Sequence, residues 1–308
     1  LRQAADEDLL ITINAFEAEF ESRVTTQSGE TLLVSSVPGS RILPLFQYVD
    51  SPESMRQLDI AVSSNQHTAR SEFGLELTRL KIWDDRSQAV SRAYRMLSFG
   101  MLSSRDASEA NWTVKIDSLV NAGRLFEQFG MMEMRLWANY LAAHLILSHL
   151  HDYSIVYSMT REILADLKGV RLQKIELAAL QLQSAALIQL KRSGSITIPA
   201  DGPAPVQTSL SNTAALADAT GFHYELAHAL NLSGIEYAAD SFYTRALEQF
   251  ERAVKIADSV GEVELANSTR ERIVEIHSLQ GNEQASSEVL QKIETKLLEE
   301  GAGDELAL

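Results

Sequence analysis

The stretch LAHALNLSGIEYAADSFYTRALEQFERAVKIAD, Leu226 to Asp258, decides the fold. Its apolar residues recur at three- and four-residue steps in two runs, which is the spacing of amphipathic helices. Only Asp240-Ser241-Phe242 breaks the runs, and so short a connection makes the two helices antiparallel neighbours. Gly261 follows, where a residue free to take the left-handed conformation ends a helix.

The same ending recurs upstream. ADSVG (Ala257 to Gly261) is preceded by ADATG (Ala217 to Gly221) and ADLKG (Ala165 to Gly169), and FEQFG closes an earlier apolar run at Gly130. The four glycines stand 39, 52 and 40 residues apart. The long interval holds SGSITIPADGPAP, Ser193 to Pro205, rich in Gly, Pro and Ser and therefore an inserted loop. Without it the period returns to about 40. A second marker, ELA, follows three of the glycines at Glu176 to Ala178, Glu225 to Ala227 and Glu264 to Ala266. Two markers in constant order imply stacked helical hairpins, each burying its apolar face against the next. In this reading the alanine of the pentapeptide packs inside a hairpin and its aspartate lies exposed near the helix end.

Within the opening stretch Gly234, Tyr237, Ala246, Phe250 and Ala253 fit the spacing G-x2-Y-x8-A-x3-F-x2-A. Small residues there let two helices approach, and the aromatics fill the space between successive hairpins. In these five positions the segment resembles a tetratricopeptide repeat. The following unit keeps Ala285 but has Ile273, Ile276, Val289 and Lys292 at the small and aromatic positions. The resemblance covers residues 115–300 as architecture, and a period above the family's ~34 residues implies longer helices. It implies an all-α fold, a right-handed α–α superhelix or TPR-like solenoid of about five hairpins. The repeats are expected over residues 51–300, with the loop at 193–205 and a polar tail at 301–308. Residues 1–50 cap the array or are the remnant of a neighbouring domain. There DEDLLITINAFEAEFESRV reads as an acidic amphipathic helix, and TLLVSSVPGSRILPLFQYV as two short strands, a β-hairpin or an extended arm. Pro52 to Trp83 is expected to supply the first helical hairpin.

Composition narrows the function. Forty-two acidic against 27 basic residues give a net charge of −15 with no Lys/Arg cluster, so the positive face that nucleic acid requires is missing. No apolar run reaches the roughly 18 residues that span a bilayer. With no cysteine there are no disulfides, thiol nucleophiles or cysteine zinc sites. A start at Leu1 reads as a processed product or a piece of a longer chain. An acidic, cysteine-free chain of this kind suits a bacterial periplasm or cell envelope slightly better than the cytoplasm.

Motifs that carry chemistry are sparse. Neither a G-x-S-x-G elbow nor a phosphate-binding loop is present. His144, His149 and His151 lie together, but a five-residue step does not put two imidazoles on one α-helical face, and His223 and His228 are likewise five apart. The pairs Asp84-Asp85 and Glu299-Glu300 read as solvated faces of an acidic helical protein. The sequons at Asn111, Asn231 and Asn267 fall in expected helices rather than loops, and Met131, Met132 and Met134 read as core at a helix start. No catalytic residue, metal ligand or cofactor is expected.

What remains is a groove. In the tetratricopeptide family the first helix of each hairpin lines a concave face that touches peptide ligands. By register the resemblance assigns His228 and Asn231 to one hairpin, Asn267, Arg270 and His277 to the next, and Asn139 and Gln189 to two earlier helices. Amides and imidazoles suit hydrogen bonding to an extended peptide backbone. The Lys/Asn/Arg clamp of chaperone-binding members is absent. The expected function is a non-enzymatic protein- or peptide-binding scaffold. The alternatives are a sensor or regulatory segment of a larger signalling protein, or small-ligand binding in the groove. A second copy is a further expected partner, through Ser287 to Glu300, whose Val289, Ile293 and Leu297 face has no next repeat to cover it.

Overall fold

Alternation rather than helical periodicity governs the first eighty residues. A computed structural model describes residues 7–16, 20–26, 31–36, 44–49, 58–64, 72–81, 84–101, 109–195 and 205–306 of the chain. Its strands are β1 Glu7–Phe16, β2 Phe20–Thr26, β3 Thr31–Ser36, β4 Pro44–Val49, β5 Leu58–Ser64 and β6 Glu72–Lys81. They form two antiparallel sheets, ordered β4-β1-β6 and β3-β2-β5.

Three sequence expectations are corrected here. The amphipathic helix read over DEDLLITINAFEAEFESRV is β1 and β2, and the helical hairpin expected from Pro52 to Trp83 is β5 and β6. The two strands expected between residues 31 and 49 exist as β3 and β4, but in different sheets rather than as one hairpin. The physical reason is local. Ile11, Thr12 and Ile13 are β-branched and stiff, favouring the pleat, and EFGLELTRLK alternates apolar and polar residues at period two. Pairing aligns the two patterns, with Ile11 opposite Leu77, Ile13 opposite Leu75 and Ala15 opposite Phe73.

From Asp85 the chain is helical: α1 Asp85–Met101, α2 Glu109–Gln128, α3 Met132–Leu145, α4 Tyr153–Asp166 and α5 Gln173–Arg192. A π-helical turn over Ile146–Leu150 extends α3. Then come α6 Pro205–Thr220, α7 His223–Ala239, α8 Tyr243–Ser259, α9 Val263–Leu279 and α10 Glu283–Leu306. The chain divides into two compact units, Leu1–Thr197 and Ile198–Leu308, and the division falls inside the Ser193 to Pro205 insertion. Residues 196–204 of that insertion lie outside the described residues, and Pro205 opens α6 at the position where its missing N–H costs nothing. In the first unit each helix from α1 to α5 packs on the next, and α1 also packs on β4 and β6. In the second, α6 to α10 repeat the pattern. The fold class is the expected TPR-like α–α solenoid, with strands at the N-terminus and the helical array starting at Asp85 rather than at residue 51.

The α7–α8 hairpin shows why it closes. A Cβ at Gly234 would stand 2.5 Å from the Phe250 ring, so only glycine lets that ring lie flat against α7. Phe250 is buried with Ala246, Ile273 and Ile276, and Tyr237 and Val289 pack against the same cluster. Isoleucines at the positions where the α9–α10 unit departs from the repeat pattern thus fill its junction with the preceding hairpin. Val289 is partly buried against this cluster, and Leu290 beside it is half exposed. At the other end of the hairpin Ala227, Ala257 and Ala266, all fully buried, bring α7, α8 and α9 together.

Most helix ends follow one scheme, the ends of α4 and of the π-helical turn being exceptions. In ADSVG the Glu262 N–H donates to the Ala257 carbonyl at 2.9 Å and the Gly261 N–H to that of Asp258 at 3.3 Å, with Gly261 at φ 76°. The α7–α8 turn repeats it with a serine, Ser241, at φ 64°. A side chain in that conformation costs about 1 kcal/mol. Ser241→Gly is therefore expected to stabilise the protein by about 0.5–1 kcal/mol. Gly234→Ala should destabilise it by about 1–3 kcal/mol despite the better helix propensity of alanine. Urea unfolding of both variants measures the two effects.

Candidate functional site

Within the second unit, Asn231 sits midway along α7, on a helix so enclosed that Leu226, Ala227, Ala229, Leu230, Ser233 and Gly234 around it are all buried. Its Oδ1 is buried too and has no hydrogen-bond donor among the described residues. Near the end of α9, the first helix of the following hairpin, His277 Nδ1 is in the same condition. A third such atom was not foreseen. Gln207 on α6 accepts from Ser233 Oγ at 3.0 Å through Oε1, and its Nε2 is buried without an acceptor. No motif marks Gln207, because its role follows from Ser233 one helix away. Each orphaned polar atom costs about 1–3 kcal/mol.

Other expected groove residues are committed to the protein itself. Arg270 is buried, with Nη2 donating to Asp258 Oδ2 at 2.5 Å and Nη1 to Asn267 Oδ1 at 2.8 Å. It ties the middle of α9 to the end of α8, and Asn267 orients it. This also corrects the reading of the pentapeptide: the aspartate of ADSVG is an ion-pair partner rather than merely exposed. The aspartate of ADLKG does similar work, since Asp166 accepts from Arg135 at 2.7 Å while Glu127 accepts from the same guanidinium at 3.2 Å. His228 is half-buried and lies face to face with Tyr224, one helical turn away, with ring centroids 6.0 Å apart. Asn139 and Gln189 belong to the first unit. Asn139 presses on α2, its Oδ1 only 2.5 Å from where a Cβ of residue 123 would be, and Gly123 makes that room. Gln189 is half-buried on α5.

The histidines at the end of α3 do different work. The π-helical turn takes in one more residue than an α turn and sets His149 against Trp112 of α2, the rings 3.5 Å apart and within 5° of parallel. Lys115 Nζ stands 4.7 Å from the Trp112 centroid. Counting His149 on a regular α-helix missed this stack. His144 is half-buried beside Tyr140. Burial, with a smaller contribution from His149, drives the His144 imidazole down to about 4, and burial raises the Tyr140 phenol well above its usual range. Among the described residues no three His, Asp or Glu side chains stand close enough to hold a metal ion.

No family model matches the sequence, and no curated protein matches it significantly. Among solved structures the chain is similar to aspartyl phosphate phosphatase F from Bacillus subtilis, with a TM-score of 0.54 at 14% identity, covering 70% of this chain and 53% of that one. It also matches a Rap protein complexed with competence and sporulation factor, with a TM-score of 0.47, 13% identity and 73% and 58% of the two chains. The apo form of RapI gives a TM-score of 0.47 at 12% identity, over 69% of this chain and 84% of that one. The chain thus spans about half the length of the first of these, and at such identity the likeness is one of fold.

Two outcomes follow from the geometry. The unfolded chain takes up a proton at His144 near pH 6.5 and the folded protein only near 4. Stability from this group is therefore complete above pH 6.5 and is lost as pH falls through that interval, by about 3 kcal/mol. His144→Gln is expected to remove that part of the acid loss, read by denaturant unfolding across the interval. Asp258→Ala should cost about 1–3 kcal/mol, because it strands the buried Arg270 guanidinium, and the thermal midpoint reports it.

Proposed function

We propose that this chain is a non-enzymatic scaffold that binds an extended peptide or protein segment along the first helices of its hairpins, with α7 and α9 of the second unit as the principal contacts. The observation that carries the reading is that Asn231 Oδ1 and His277 Nδ1, two of four such buried atoms among the described residues, lie on those two helices. A ligand N–H donating to Asn231 Oδ1 supplies what the protein withholds, and His277 Nδ1 can accept or donate according to the tautomer. Helical-repeat solenoids present extended surfaces of this kind. The charge of −15 favours a basic or neutral segment over an acidic one, through steering and through the cost of like charges at contact. Fold likeness carries no activity with it. The side chains assigned to the groove are hydrogen-bonding amides and imidazoles rather than an activated nucleophile with its base.

Peptides selected from a display library on the wild-type protein give the ligand for the test. Replacing Asn231 or His277 by Ala is expected to weaken the selected peptide about tenfold each, read by fluorescence anisotropy. Stability should be unchanged or improved, since each substitution removes an orphaned polar group. Full affinity in the double variant would overturn the assignment.

A further inference from the structure

A cavity of about 480 Å³ lies within the first unit, between the sheet β4-β1-β6 and helices α1, α3 and α5. Its sheet side is one patch of a pleat. Leu10 and Thr12 alternate onto the same face of β1, and their register partners Thr78 and Phe46 complete that side from β6 and β4. Trp137 and Tyr94 line it from α3 and α1. Aromatic and aliphatic walls with two hydroxyls, in this range of volume, are the make-up of a small-molecule site.

The charges on its lining are the informative part. Arg171 and Lys174, at the start of α5, both face the cavity, and neither makes an ion pair among the described residues. In a chain with 42 acidic and 27 basic residues, carboxylates are in surplus, so two unpaired cations at one cavity are out of keeping with the surface. Lys174 is half-buried, and burial alone pushes its ammonium below the usual lysine range, so its charge is held at a cost that an anion would offset. The first turn of α5 adds to this potential: its cap position is Leu172, whose side chain accepts no hydrogen bond, and Gln173 and Ile175 are also among the lining residues. Against the two cations stands one carboxylate on the lining, Glu133. The balance matches a single negative charge.

We propose that this cavity binds a small monocarboxylate with an aromatic or branched apolar body, its carboxylate held by Arg171 and Lys174 and its body against Trp137, Tyr94 and Phe46. The arginine fork accepts a carboxylate through two parallel hydrogen bonds, with lysine as a point charge beside it. The site is separate from α7 and α9 and does not depend on peptide binding there.

Calorimetric titration of the whole chain tests this with 4-phenylbutyrate as the probe, against its neutral isostere 4-phenylbutanol, the cation 4-phenylbutylamine, acetate alone and phenyl phosphate. The carboxylate is expected to bind at least tenfold more tightly than the alcohol, with no measurable heat from the amine or acetate. Arg171→Ala/Lys174→Ala should weaken the carboxylate at least tenfold and leave the alcohol unchanged. The double variant changes exposed and half-buried side chains, and the comparison among probes on wild-type protein needs no variant at all. Equal binding of acid and amine, unchanged affinity in the double variant, or acetate binding as well as phenylbutyrate would each overturn the proposal. Tighter binding of phenyl phosphate would overturn the choice of a singly charged ligand. Asn231→Ala/His277→Ala should leave the titration as it is in wild type, so failure here and failure of the groove reading are told apart.

Discussion

How near two antiparallel helices can come sets everything else in the helical array. Where α7 meets α8 the distance is fixed by Gly234 lying under the Phe250 ring, and where α7, α8 and α9 meet it is fixed by three alanines with no exposed surface. Close approach buries the ring, and the buried ring is the floor on which Ile273 and Ile276 of the next hairpin rest. A single contact therefore acts twice, closing one hairpin and seating its neighbour. Gly100 against Leu119 in the first unit is the same device with an aliphatic partner. Side-chain volume at a few positions, rather than any specific polar bond, is what makes the repeat a repeat.

Polar groups then fix how one helix follows another. Asp258 and Asp166 each sit at the end of a second helix, and each holds an arginine, but in different directions. Asp258 reaches forward to Arg270 on the following helix, whereas Asp166 reaches back to Arg135 on the preceding one. One sequence motif thus serves two ties, and the backbone differs with them: the residue after the glycine bonds back to Ala257 in ADSVG but to Leu167 in ADLKG. Asn231 Oδ1 and His277 Nδ1 are left over after these ties, as is Gln207 Nε2 on α6.

The helical array was legible in the sequence for the same reason. Gly234, Phe250 and the pentapeptide glycines are local markers with local causes, so spacing alone recovers them. Of the strands only β3 and β4 were legible. Glu7 to Phe16 carries both an acidic flank compatible with a helix and a β-branched centre, and what decides between them is a partner more than fifty residues away, Glu72–Lys81. Among the groove residues the register placed Asn231 and His277 on the first helices of successive hairpins, but it could not show that Arg270 is spent on Asp258 or that Asn139 is pressed into Gly123. Such assignments depend on which helix face meets which neighbour. Periodicity gives a face, not its occupant.

The π-helical turn at Ile146–Leu150 bears on how the α3–α4 hairpin can be aligned at all. It accommodates an additional residue without ending the helix, so positions numbered forward from Gly130 and positions numbered back from the turn at Asp152 disagree by one across the same helix. A repeat template laid on from either side is right for half of the hairpin and rotated by about 100° for the other half. The helix has two reading frames joined in one rod, the extra residue taken up inside the helix at the π turn.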